Sequence, residues 1–199
     1  MKYIKYFIQF LFAILSFLIF KILGPSLSSK LSGKIFKLIG PFFRPKNIIH
    51  SNIKRGIPNI SSENLDKIAN LMWSNYGNIF AEFMFLKNFR YGNLSSKIQV
   101  DGQDILDEIK KSNKQVIFIS GHFSNFELMA MFIEKSGINL SAIYRPLNNI
   151  FLNGIMENIR KKYICKNQIK KGLAGLKKLI KLKKKNYSTA LMIDQRVSE

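Results

Sequence analysis

The 199 residues suit one ordinary domain with a real core, and 47% of them are hydrophobic. The formal charge of +20 is uneven: ten Lys or Arg and no acid lie between Met1 and Ser62, twelve basic residues and no acid between Asn158 and Ile193, and the stretch between them is close to neutral. Two basic blocks point to an anionic partner, whether lipid headgroups, a phosphorylated substrate or nucleic acid, while the single Cys165 excludes an internal disulfide framework and a cysteine metal cluster.

Between Lys5 and Lys21 lie fifteen uncharged residues, almost all apolar. As a helix they cover about 22 Å, short of a hydrocarbon core of about 30 Å. Extension from Tyr3 to Leu23, with Lys5 and Lys21 snorkelling outward, reaches spanning length. A buried core helix seldom has an apolar face all the way round. A cleaved signal peptide should end in a small-x-small site, whereas here Lys21 follows the apolar run and "GPSLSS" reads as a helix stop followed by loop. Residues 1–24 therefore read as a membrane anchor and residues 25–199 as the main body. Basic residues are more numerous after the segment (Lys30, Lys34, Lys37, Arg44, Lys46), which predicts a body on the cytoplasmic side.

Leu31 to Phe43 mixes bulky apolar side chains with Lys34 and Lys37, and suits either the membrane interface or the first packed helix of the body. A loop containing "RGIPN" follows, and Ser61 offers an N-cap for an amphipathic helix reaching about Phe85. "QVIFIS" (Gln115 to Ser120) reads as a buried strand ended by Gly121, and "FELMAMFIEKSG" as a helix ended by Gly137. Ile138 to Tyr144 is a second strand. Helices over about Asn149 to Lys162 and Lys171 to Lys184 precede a third strand at Ser188 to Ile193. The alternation predicts an α/β fold, a largely parallel sheet flanked by helices.

Ligands of open α/β sheets bind beyond the carboxyl ends of the strands. The residues that leave the three strands are His122, Arg145 and Asp194, so three polar groups converge on one edge. Within "GHFSNFE" two readings stand open. In one, Ser124 and Glu127 form a capping box, each side chain satisfying the other's backbone. In the other, Glu127 receives the proton of one imidazole nitrogen of His122, leaving the second nitrogen to take a proton from an attacking hydroxyl. A metal site is a weaker reading, since the other histidine is His50 and no Cys/His cluster exists, and no G-x-S-x-G elbow favours a serine hydrolase.

"GHFSNFE" resembles the H-x-x-x-x-[D/E] signature of glycerolipid-type acyltransferases, in the form found in the bacterial lipid A biosynthesis acyltransferases. Further segments resemble that family in order: the N-terminal apolar segment, "NIKRGIP", "MWSNYGNIFAE", "YRPLNN", Arg160 and "IDQ". The resemblance implies a glycerolipid acyltransferase-like fold with His122 as general base and Glu127 as its orienting partner. Asn125 belongs to the same motif, and Arg145, Arg160 and Asp194 take substrate-binding positions. The implied reaction moves a fatty acyl chain from an acyl carrier protein thioester to a hydroxyl of a phosphorylated, membrane-embedded lipid A precursor. It takes place at the bacterial inner membrane and uses neither cofactor nor metal. Members of the family continue past the point corresponding to Glu199, so the resemblance also implies a C-terminally truncated form.

The second basic block, "KKGLAGLKKLIKLKKK", can face phosphorylated substrate, membrane or an acidic carrier protein, or can be a solvated crossover helix. Two rival functions stand beside the first. One is acyl transfer to another lysophospholipid or glycolipid. The other is a membrane-tethered nucleic-acid-binding module, against which the basic block from Asn158 to Ile193 holds only Tyr163 and Tyr187 as aromatics and no recognition motif. No nucleic acid partner is expected.

Overall fold

Helix α1 (Lys2–Ile39) opens the computed structural model, which describes residues 1–194. Its apolar sequence makes it long and greasy enough to cross a membrane. At Gly24 the backbone leaves helical geometry, with φ of 74° and ψ of 171°, and Pro25 has no N–H to continue the ladder. The expected stop and loop at "GPSLSS" is therefore a kink inside one helix. The Ser28 hydroxyl lies 2.8 Å from the carbonyl of Phe20 and 2.6 Å from that of Gly24, supplying a donor across the break.

The chain forms two compact units, one of Met1–Ala13 with everything from Leu86 onward, the other of Ile14–Phe85. In the latter, the rest of α1 is followed by α2 (Lys46–Gly56) and α3 (Ser62–Glu82). Ser61 caps α3 as its sequence indicates, its hydroxyl accepting from the backbone of Asn64. The "RG" of "RGIPN" closes α2 and is not loop. Helices α1 and α3 approach through small residues. A Cβ at Gly33 would run into Ser74 and Asn78, and one at Gly77 into the backbone of Ser32. Phe17, Phe20 and Phe36 surround Phe80, with ring centroids 5.1 to 5.9 Å apart.

The other unit holds a four-stranded, all-parallel sheet in the order β1-β4-β2-β3. Its strands are β1 (Ile117–Ser120), β2 (Leu140–Tyr144), β3 (Asn167–Lys170) and β4 (Ser188–Met192). Helices α4 (Leu86–Tyr91), α5 (Gln103–Ser112), α6 (Glu127–Lys135), α7 (Ile150–Tyr163) and α8 (Leu173–Lys183) complete it. The α/β class, the parallel sheet and three of the strands are where the sequence pattern places them. β3 carries no strand signal in the sequence, because "NQIK" is four residues long and mostly polar; it lies at the sheet edge.

The register sets the site: Ser120 lies opposite Met192, so β1 and β4 release their chains side by side. Met131, Leu140, Ile164, Cys165 and Ile169 fill the core beneath. Arg90 ties α4 to α6 and α7, pairing with Glu134 at 2.5 Å and donating to the carbonyls of Tyr163 and Ile164. Asn149 caps α7, its side-chain oxygen accepting from Phe151 and Leu152, while its amide donates to the carbonyl of Tyr6 in the opening turns of α1.

Candidate active site

Two neighbouring strand ends build the centre. Gly121 leaves β1 at a point where a Cβ would meet the Phe123 ring, and the chain reverses there to present His122. β4 ends at Met192, two residues before Asp194. The His122 Nδ1 lies 2.8 Å from Oδ1 of Asp194, and the His122 backbone N–H donates to Oδ2 at 2.9 Å. One carboxylate thus holds both the ring and the peptide of the histidine. With Nδ1–H given to Asp194, the neutral ring keeps its lone pair on Nε2. Phe126 packs against the imidazole at 4.6 Å between ring centroids, fixing its plane further. The hydrogen bond from the His122 backbone, and after it the imidazole, hold the Asp194 carboxyl below its usual range against the opposing effect of its partial burial.

Behind this pair opens a cleft of about 400 Å³ over the carboxyl ends of β2 and β4. Its polar lining includes His122, Arg145, Arg160 and Lys171, with Glu127 as the carboxylate among them. Its apolar lining includes Met129, Ala142, Ile143, Leu191 and Met192. An oriented imidazole, a cluster of cations and an apolar wall can together deprotonate a hydroxyl beside an anionic, partly aliphatic ligand. A family model for the bacterial lipid A biosynthesis acyltransferases matches residues 1–199.

The chain belongs to that family. It is accordingly a lipid A acyltransferase in kind, an enzyme whose substrates are an acyl donor and a lipid A acceptor in a membrane setting. No curated protein and no solved structure is significantly similar to it.

Four of the six residues singled out from sequence form two pairs, His122 with Asp194 and Glu127 with Arg160. The carboxylate placed on His122 is that of Asp194, not Glu127. Glu127, the first residue of α6 and 8% exposed, is held instead by Arg160 of α7, whose Nε donates at 2.9 Å and whose Nη2 reaches the same oxygen. Arg160 also stands over the Tyr144 ring at 5.8 Å. The capping-box register is not met: the N-cap of α6 is Phe126, and Ser124 sits two residues earlier with φ of 44°. Asn125 lies in the same loop between His122 and α6. Arg145 leaves β2 into the cleft. Gln195, the end of "IDQ", falls outside the described residues.

Sequence reasoning missed Lys171 and the group beside it. Lys171 is the residue that leaves β3, so the rule that yields His122, Arg145 and Asp194 yields Lys171 too once β3 is recognised. Glu157 on α7 binds Lys161 at 2.7 Å and Lys170 at 3.3 Å. Lys161 first, then the Tyr144 hydroxyl, lower its pKa to about 2. Burial, and after it the Glu157 carboxylate, push the Tyr144 hydroxyl upward. The lysines of α8 are exposed, and so are its apolar residues Leu173, Leu176 and Ile180.

Proposed function

We propose that the protein transfers a fatty acyl chain from an acyl carrier protein thioester to a hydroxyl of a phosphorylated lipid A precursor, with His122 as general base. The observation that carries this reading is the His122–Asp194 pair at the rim of a cationic cleft. Nε2 takes the proton of the acceptor hydroxyl as its oxygen attacks the thioester carbonyl. The tetrahedral intermediate collapses, the C–S bond breaks, and the departing thiolate receives the proton from the imidazolium. Asp194 holds the ring for the first step and stabilises its positive charge during the second. A thiolate is a good leaving group, so neither covalent enzyme intermediate nor cofactor is needed.

Arg145, Arg160 and Lys171 supply positive potential and bidentate or point-charge contacts for substrate phosphates. Glu127 serves by holding Arg160 in place. The body lies on the cytoplasmic side of the inner membrane, a placement supported by the basic residues that follow the apolar segment.

Membranes supplied with labelled acyl carrier thioester and lipid A precursor test the reading. Transfer should disappear in a folded His122→Ala variant. Transfer that persists in that variant removes the histidine mechanism, and transfer only to a lysophospholipid acceptor moves the enzyme to the nearest rival substrate.

A further inference from the structure

Helix α1 changes character at its kink. Before Gly24 it is apolar on nearly every side, but after Pro25 it carries three separate faces. Ser28, Ser32, Gly33 and Gly40 are buried, and Ser32 and Gly33 pack against α3. Leu27, Leu31, Ile35, Leu38 and Phe42 recur every three or four residues on an exposed face, and Phe43 follows them. Lys30, Lys34 and Lys37 each stand one residue before a member of that stripe, so they form a row along one border of it. The stripe grows more exposed toward its end, with Leu38 at 75%, Phe42 at 87% and Phe43 at 74%, and Arg44 follows at once. No acid occurs anywhere from Met1 to Ser62.

An exposed apolar stripe of this length needs a cover, and its position decides which. A lysine in each turn bars the segment from the hydrocarbon centre. A bulky apolar row bordered by cations fits the boundary between acyl chains and anionic headgroups. The break at Gly24 separates this segment from the spanning-length run before it. We propose that the segment from Pro25 to Arg44 lies in the plane of an anionic lipid surface, a second membrane contact distinct from the residues before the kink. The Phe42–Phe43 turn inserts at its end. The inference rests on the membrane-bound reading above and is independent of the acyl-transfer chemistry.

Spin labels on the whole protein in vesicles of phosphatidylglycerol and phosphatidylethanolamine read this directly. Cys165 is fully buried, so single cysteines introduced at exposed positions take the label. Labels go at Leu15, Leu31, Leu38 and Phe43, at Lys34 on the charged border, and at Lys177 on α8 as the aqueous reference. Oxygen and a water-soluble nickel chelate then report depth. The expected result puts Leu31, Leu38 and Phe43 at one common depth, about 5–10 Å below the headgroups, with Lys34 and Lys177 open to nickel.

Three results overturn the proposal while leaving the anchor before Gly24 intact. One is nickel access at Leu31, Leu38 and Phe43 equal to that at Lys177 while Leu15 stays protected. Another is a depth difference of about 10 Å between Leu31 and Leu38, the rise of seven helical residues crossing the bilayer. The third is dipolar broadening at the stripe, which would make a second copy of the chain its cover. Nickel access at Leu15 as well would sink the membrane-bound reading together with the proposal.

Discussion

A carboxylate that receives both the Nδ1–H and the backbone N–H of one histidine leaves that ring a single orientation. An amide in its place can accept one of those hydrogens but presents an N–H to the other, which favours the wrong tautomer. Asp194→Asn should therefore lower turnover by about 10²- to 10⁴-fold with no loss of fold, measured as single-turnover transfer beside circular dichroism. Glu127→Gln should behave differently. It leaves the mostly buried Arg160 guanidinium without its charge partner, at about 3 kcal/mol of stability read from the urea midpoint. A Glu127→Gln protein with intact stability, unchanged KM for the phosphorylated acceptor and a lost kcat would restore Glu127 as the partner of His122. The sequence displays Glu127 beside His122 because they are five residues apart, whereas Asp194 is 72 residues away and reaches the ring only through the insertion of β4 next to β1.

At the scale of elements, legibility follows the strength of the local pattern. β1, β2 and β4 are runs of apolar and β-branched residues closed by turns, and each is visible. β3 has a single apolar residue, Ile169, although both Gln168 and Ile169 are buried, so no apolar run marks it, and it hid Lys171 with it. Gly24-Pro25 has the chemistry of a helix end, and only Ser28 reaching back over the break shows why the helix continues. The α1–α3 contact rests on glycines whose importance no periodicity reveals. Gly77→Ala should cost about 1–3 kcal/mol by overpacking against the Ser32 backbone, seen as a lowered unfolding midpoint.

The salt bridges of α7 give a pH dependence of known sign. Glu157 has a folded pKa of about 2, below its ordinary 4.5, so its stabilisation is present above pH 4.5 and is lost as pH falls toward 2. The stability difference between the wild type and Lys161→Ala should shrink across that window. A difference independent of pH would mean that Lys161 contributes packing and not charge.

Over the whole molecule, charge is the feature that sequence shows most plainly and explains least. The excess of +20 is a property of two blocks, yet the cations that line the cleft are a small selection set by strand order. Arg145 and Lys171 leave the adjacent strands β2 and β3, and Arg160 reaches in from the helix that joins them. If this cluster grips substrate phosphate, removing Lys171 should weaken ground-state binding more than it slows chemistry, since Lys171 lies apart from the His122–Asp194 pair. Lys171→Gln should raise KM for a phosphorylated acceptor by about 10- to 100-fold, the worth of one charged hydrogen bond, with kcat nearly unchanged. The same substitution should leave KM for the dephosphorylated acceptor almost where it was. Equal losses with both acceptors would assign Lys171 to the shape of the cleft or to the acyl donor, and would leave Arg145 and Arg160 as the phosphate contacts.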